Sequence, residues 1–467
     1  MIHHEKIKII FLLGIALCLG TCIRYHPKEL LPEKTLTDFQ QRSLDSRELR
    51  DFFKANGQTP GWPITSWDLH SLTLVSFFYH PDLDVARARW AVAEAGRITA
   101  GERPNPDLGL TIEYNSSAQG SDVEAWSPGL SFDITIETAG KRGFRVSQAR
   151  QLSRSAYLEI RSVAWQVRSR LRQTFLELYA SQQQQTILSR QQQVLAENAR
   201  VMEKQLAVGA ISPYELAQAR IALQNNRLEL ISAENSRVQA RIKLASALGL
   251  PISALEGVNF DFAGVSQYDF IIPDGVARQQ ALLNRSDILS ALADYAASQA
   301  ALQLEVARQY PDIHLGPGYT RDQGDSKWVL GLSLSLPIFN INHGPIYEAQ
   351  ARRQESASRF LALQTTVLND IDMAAAGLRS CHEQAVAAAE IAKNLEKQTE
   401  RAQAMFKLGE ISKAELLGIQ AELSAAEISL LNARVKTQEA LGALEDAIQD
   451  SPGLNAWLNK INEKRGL

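Results

Sequence analysis

The side chains that carry most enzymatic chemistry are present in this chain but are not grouped for it. The eight histidines are scattered, and no HExxH, GxSxG or Walker pattern occurs, so neither metal-assisted hydrolysis, acyl transfer nor phosphoryl transfer has its residues at the required spacing. The three cysteines are Cys18, Cys22 and Cys381, and no pair has zinc-ligand or CxxC redox spacing. His382 adjoins Cys381, but neighbours on a helix point in different directions, so they do not form a metal site. Cys381 reads as a small apolar residue on a helix. Neither an enzyme nor a cofactor or metal site is expected.

Cys22 suits a different chemistry. Lys6 and Lys8 precede an apolar run, Ile9 to Leu19, too short to span a bilayer but fitting the core of a signal peptide over residues 1–21. The run ends Leu19-Gly20-Thr21-Cys22, which is similar to a bacterial lipobox, where the cysteine becomes the lipid-bearing first residue; ordinary signal cleavage near the same point is the alternative. Acyl chains would add to the membrane hold of the chain at about 0.8 kcal/mol per buried CH₂.

The charges nearly balance, 49 Lys and Arg against 52 Asp and Glu, which gives no field of one sign for nucleic acid. Aromatics are only 7%, and Ala, Leu, Val, Ile and Gln dominate, as in long helices.

The chain is written twice. Ala207-Val-Gly209-Ala-Ile211-Ser212-Pro-Tyr-Glu215-Leu216 matches Lys407-Leu-Gly409-Glu-Ile411-Ser412-Lys-Ala-Glu415-Leu416 at an offset of 200. Asn105-Pro-Asp-Leu pairs with Tyr310-Pro-Asp-Ile at 205, while Trp126-Ser-Pro-Gly-Leu-Ser with Trp328-Val-Leu-Gly-Leu-Ser, and Gln148-Ala-Arg with Gln350-Ala-Arg, pair at 202. A period this long makes each copy a complete structural half. The expected organisation is an N-terminal segment 22–65, a first repeat 66–250, a Pro- and Gly-marked linker 251–274, a second repeat 275–450 and a tail 451–467. Each repeat opens with a helical stretch, Trp67 to Glu102 or Asp287 to Arg308.

Strict alternation predicts strands over about 107–115, 127–137, 312–320 and 328–338, the third weakened by Pro317. Leu108, Leu110, Ile112 and Tyr114 share one face, and Glu113 lies on the other; Asp133 and Glu137 are polar-face residues of the second strand. Each strand has about the 9–11 residues a tilted strand needs to cross a membrane, with Trp126, Trp328, Tyr114 and Tyr319 near the ends, as in an interfacial girdle. A water-soluble sandwich would alternate in the same way. Four strands cannot close a barrel and open edges are not tolerated in lipid, so several chains must share one barrel. Glu113, Asp133 and Glu137 would then line the pore. The loops Asn115 to Ala125 and Thr320 to Lys327 fit the outer side.

Helices are predicted over about 141–207, 212–249, 345–408 and 412–450. The longer ones would reach roughly 100 Å. Ile187, Val194, Val201 and Val208 recur every seven residues, as do Leu216, Leu223 and Leu230, so paired coiled-coil rods are expected. Gly209 and Gly409 turn the chain, and Ser212-x-x-Glu215 and Ser412-x-x-Glu415 read as capping boxes.

These tips, with Leu334-Ser-Leu-Pro-Ile-Phe339 and Glu137-Thr-Ala-Gly-Lys-Arg142, make the chain resemble the TolC-type outer-membrane efflux channel family over nearly its whole mature length, the last motif resembling the branch that serves heavy-metal pumps. The resemblance implies a mixed α and β membrane protein, a homotrimer with a shared 12-stranded β-barrel and an α-barrel of helical hairpins. It implies a passive exit duct in a tripartite system, for drugs, metal ions or other small solutes, in the outer membrane of a Gram-negative cell. A periplasmic adaptor and an inner-membrane pump, often of the resistance-nodulation-division class, would be partners, the adaptor docking at Gly209, Ile211, Ser212, Gly409, Ile411 and Ser412. Acidic residues near the second tip ring the family's aperture; Glu415 matches the first position, while Gly418 stands where a second acid is usual. Alternatives are a type I secretion duct and a lipid-anchored periplasmic coiled-coil adaptor or scaffold.

Overall fold

The computed structural model describes residues 25–57, 61–116, 124–265 and 275–449. Cys22, the leader and the tail 451–467 lie outside the described residues. The chain divides between Ser43 and Leu44. Among its described residues the first unit contributes one helix, α1 (Pro32–Gln40), started by Pro32 in its first turn.

In the second unit, α2 (Arg47–Ala55), α3 (Leu69–Tyr79) and α4 (Pro81–Gly101) lead to strands β1 (Asp107–Tyr114) and β2 (Trp126–Ile136). Helices α5 (Lys141–Ala207) and α6 (Pro213–Leu248) follow. The second half repeats the plan with α7 (Gly275–Asn284), α8 (Ser286–Ala307), β3 (Ile313–Asp322), β4 (Asp325–Leu334), α9 (His343–Leu408) and α10 (Lys413–Ile448). The helical stretch expected from Trp67 is divided, because Pro81 cannot donate a helical hydrogen bond and His80 caps a new helix instead.

The strands form one antiparallel sheet in the order β1-β2-β3-β4, so β2 and β3 join the two halves. Strand β3 runs through Pro317. Its pairing with β2 is interrupted where Pro317 and Gly316 pass Phe132 and Asp133, since proline has no N–H to give. Gln323 and Gly324, both at positive φ, close β3 onto β4 in a two-residue turn, which replaces the longer loop expected over 320–327. Strand β4 ends at Leu334, short of the alternation that continues to Ile338.

Helices α5 and α9, of 67 and 66 residues, are the long rods. Away from the sheet α5 packs between α6 and α10, and α10 also packs on α9; nearer the sheet α5 meets α4 and α8, and α8 meets α9. The main core gathers where α3, α5 and α6 meet the linker, with Phe53, Leu72, Phe77, Leu171, Phe175, Leu244, Leu248 and Leu255 buried. The linker is part of that core: Phe260 and Phe262 pack on Phe175, and the Trp67 N–H bonds the Asn259 carbonyl. Cys381 is half-buried.

The two hairpins are tied by charge at the same level. Arg172 Nη1 donates to Glu445 Oε2 at 3.0 Å, and its Nη2 donates to the Gly442 carbonyl at 2.7 Å and to Asp446 at 2.5 Å. Ser169 and Arg168 complete the joint on Asp446 and Glu445 at 2.6 and 2.8 Å. The guanidinium fits because Gly442 has no side chain: a Cβ there would lie 2.2 Å from Arg172 Nε. An exposed helical glycine replaced by alanine ordinarily gains about 1 kcal/mol. Gly418, in the same helix with open space around its Cα, should behave so. Gly442→Ala should instead lower the melting temperature by evicting Arg172 from two half-buried carboxylates. Thermal unfolding of the two variants side by side checks the opposite signs.

Candidate functional site

The register defines two faces of the sheet. Leu108, Leu110, Ile112 and Tyr114 pair with Phe132, Leu130, Pro128 and Trp126, and the same face continues through Ile313, Leu315, Pro317, Tyr319, Trp328, Leu330, Leu332 and Leu334. Among the described residues nothing covers it. Leu110, Ile112, Leu330 and Trp328 are 74%, 71%, 76% and 82% exposed. Tyr114 stacks against Trp126 and Tyr319 against Trp328, with centroids 4.7 and 4.9 Å apart, at the ends of the two hairpins. This is a band of hydrocarbon-facing side chains bounded by aromatics.

The opposite face is small and polar. Gly109, Gly129, Gly316, Gly318 and Gly331 lie on it among Ser, Thr and charged residues, as a lumen wall requires. Glu113 stands exposed on this face near the hairpin end. Asp133 is on it too, with the His314 Nδ1 at 3.1 Å from its Oδ2 and Thr135 Oγ1 3.4 Å from the same nitrogen. Asp107, Asp322 and Asp325, which alternation also places there, were not among the expected lining residues. Lys327 binds Asp322 at 2.6 Å, and Ser127 donates to the same carboxylate at 3.1 Å. Among the described residues this face carries five carboxylates against one lysine and His314.

Glu137 belongs elsewhere. It lies past the end of β2, its side chain only 14% exposed, in an ion pair with Arg145 whose second contact, Nη2 to Oε2, is 3.0 Å. Hydrogen bonding to Glu137 raises the Arg145 pKa. The Arg145 and Arg142 guanidinium groups also donate to carbonyls at the end of α4, so Glu137 helps fix the joint between sheet and helices. Parity continued past the strand end does not detect that turn.

The same joint holds a second ion pair, invisible to local sequence. Buried Lys141 meets Asp312 at 2.7 Å, and Asp312 also accepts from the Thr138 N–H at 2.9 Å. Burial works against the Asp312 charge, but the hydrogen bonds from Lys141 and Thr138 outweigh it and hold the pKa below the ordinary carboxylate value.

At the far end of the hairpins, both turns are built alike. Gly209 and Gly409 have φ of 73° and 79°. The Gly409 and Glu410 N–H groups bond back to Phe406 and Met405, and Gly209 and Ala210 do the same to Leu206 and Gln205. Such a closure wants a left-handed residue, which costs an L side chain roughly 1–2 kcal/mol. Both capping boxes are formed; Glu415 Oε2 accepts from the Ser412 N–H at 3.0 Å and hydroxyl at 3.1 Å. In the single chain Glu415 is thus a helix cap. Ile211 and Ile411 are half-buried, whereas Val208, Tyr214 and Leu408 stand 71–79% exposed around the tips. Among the described residues there is no cluster of His, Cys, Asp or Glu able to hold a metal ion, and no helix is long and apolar enough to cross a membrane.

A sheet with one hydrocarbon face and one polar face, carried on helical rods of this length, defines the class of outer-membrane channels. Residues 79–250 and 277–448 each match the outer membrane efflux protein family, and the chain belongs to that family. It is 24% identical over 370 residues to the cobalt-zinc-cadmium resistance protein CzcC of Cupriavidus metallidurans, covering 78% of this chain and 85% of that one. The pyoverdine export outer membrane protein OpmQ of Pseudomonas aeruginosa is 26% identical over 337 residues, covering 68% of each chain. A crystal structure of CusC superposes with a TM-score of 0.68 at 22% identity, over 84% of this chain and 94% of that one. The protein is therefore an outer-membrane efflux channel subunit, with its helices in the periplasm.

Two outcomes test this geometry. Asp312→Asn leaves Lys141 without its partner and should cost on the order of 3 kcal/mol. Because the Asp312 pKa is lowered in the fold, its contribution is present above the ordinary carboxylate pKa and fades as pH falls through the lowered one, so acid should narrow the gap between wild type and variant. Ser412→Ala should cost about 1 kcal/mol of tip stability, read by hydrogen exchange at the start of α10.

Proposed function

We propose that three copies assemble into a passive exit duct for heavy-metal cations, twelve strands forming the barrel and the rods forming a cylinder below it. The observation that carries the reading is the uncovered apolar face of a sheet whose outer strands, β1 and β4, each leave one edge unpaired. A soluble scaffold or adaptor would have to cover that face.

The rods support the same assembly. Helix α6 carries one seam buried against α5, with Leu216, Asn226, Ala233, Ala240 and Leu244, and a second, exposed one at Ile221, Leu228, Ile231, Val238 and Ile242. The residues of each fall on the a and d positions of one heptad frame, as in a coiled-coil seam. A helix with two seams has two neighbours. Among the described residues α6 packs on α5 along its tip-side length, and α9 of the next copy, which exposes Leu361, Leu368, Val386 and Ile391, supplies the other neighbour. Kinship with the family implies the count of three, which at four strands per chain makes a twelve-stranded barrel.

Cargo and partners rest on chemistry and kinship. The excess of carboxylates on the polar face, Glu113 and Asp133 among them, favours cations, as acidic rings do in cation pores. CzcC is named for cobalt, zinc and cadmium resistance, which accords with that field; OpmQ, named for pyoverdine export, shows that relatives of similar identity carry other cargo. The duct takes what a pump of the resistance-nodulation-division class delivers. A periplasmic adaptor docks at Gly209, Ile211, Ser212, Gly409, Ile411 and Ser412, where exposed Val208, Tyr214 and Leu408 offer apolar contact. Three copies of Glu415 gate the aperture, and Cys22 bears acyl chains.

Planar-bilayer conductance tests the duct. Purified protein should open pores that prefer potassium to chloride, and Asp133→Asn with Glu113→Gln should reduce that preference. Glu415→Gln should raise the conductance of the closed state; unchanged closed-state current would remove Glu415 as the gate and leave the duct intact. No conductance from any preparation would contradict the duct.

A further inference from the structure

The polar face of the sheet sets a nitrogen base against an aspartate at each end, and the two bases differ in kind. At the hairpin end Lys327 binds Asp322 at 2.6 Å. An ammonium ordinarily keeps its charge up to about pH 10, so this pair stays neutralised in acid and at neutrality alike. At the helix end the partner is a histidine. His314 Nδ1 lies 3.2 and 3.1 Å from the two oxygens of Asp133, and Thr135 Oγ1 is 3.4 Å from the same nitrogen. Imidazole is the side chain whose charge ordinarily changes between about pH 5 and 8.

The neighbours of His314 narrow what its charge can act on. On β2, Thr135 is opposite it in register, and Asp133 is its ion partner. Asp107 of β1 stands directly opposite Asp133, so two like charges face each other across the strands. On β4 the opposed residue is Ser333, which is uncharged. Asp312, two residues back, is held by Lys141 and the Thr138 N–H, and Glu137 is held by Arg145. The polar face at this level therefore presents the carboxylates of Asp107 and Asp133. The His314 and Asp133 side chains are 35% and 48% exposed, open to the water and ions of a lumen. An ionised carboxylate only accepts hydrogen bonds, so Nδ1 carries a proton toward Asp133 whether the ring is neutral or charged. Uptake of a second proton at Nε2 changes the charge of the pair without breaking its contact.

We propose that His314 is a specificity-determining residue of the barrel, making its preference for cations depend on pH. Neutral, the ring orients Asp133 and leaves the carboxylate charge in the lumen. Protonated, it cancels that charge, and this level of the wall falls from two negative charges per chain to one. The control sits at the helix end, where the rods deliver cargo, while the Lys327 pair keeps the hairpin end fixed. The inference rests on the reading of the polar face as the pore wall.

Reversal potentials of the purified full chain in a planar bilayer, under a potassium chloride gradient, test it. Between about pH 8 and pH 5 the wild-type ratio of potassium to chloride permeability should roughly halve, as the charge of this level does. His314→Asn, which cannot take up the proton, should keep the high ratio at both pH values, and His314→Lys should show the low ratio at both, each in protein that retains its native mass. Lys327→Gln should raise the ratio and leave the pH step in place. A wild-type ratio that does not change with pH would overturn the proposal, as would a step that survives in His314→Asn or disappears in Lys327→Gln; each of these leaves the duct itself standing. Pores without cation preference at either pH would overturn this inference together with the pore-wall reading beneath it.

Discussion

An open β-sheet edge cannot be placed in hydrocarbon, and the architecture follows from that constraint. Each unpaired N–H or C=O in lipid forfeits a hydrogen bond that water would otherwise supply, at a cost of several kcal/mol. Here β1 and β4 are both edges, and the four strands of the sheet together present an apolar band bounded by Tyr114, Trp126, Tyr319 and Trp328. The chain must therefore find its closing partners in other copies. The helices inherit the same logic, since rods that continue a closed ring need two seams each, as α6 shows.

The duplication supplies the geometry but does not keep the halves equivalent. Both tips retain the same glycine turn and the same capping box, because helix reversal sets the same demand twice. Elsewhere the copies diverge. The buried polar contact of Asn226 with Gln191 inside the first hairpin faces Ala426 and Ile391 at the same offset in the second. The Glu137–Arg145 ion pair below the sheet in the first half has exposed Phe339 and Tyr347 at the corresponding positions of the second. The charge network of Arg168, Arg172, Glu445 and Asp446 ties the hairpins to one another at the level of the core, some 50 Å from the tips along α5. Toward the tips the contact is thinner, with Arg190 to Glu427 and the small cluster of Ile187, Leu431 and Val435.

Much of this was legible in the sequence because its signals are local and periodic. Alternation gave the strands and their faces, seven-residue spacing gave the rods, and the glycine and serine of each tip gave the turns. What escaped was set by partners distant along the chain. Alternation assigned Glu137 to the polar face, but Arg145 on the next helix turns it into the joint. The Lys141 to Asp312 pair joins residues of different halves. Pro317 looked like an interruption, yet the missing N–H costs only a local gap in pairing. Asp322 and Asp325 became lining residues only when the Gln323-Gly324 turn extended the third and fourth strands.

The central claim is that one chain is an incomplete barrel that closes only with others. The mass of the detergent-extracted native complex tests it directly. The account predicts a single species of three chains, lost together with the sheet when the complex is dissociated. A stable, folded monomer that keeps its strands in detergent would contradict it.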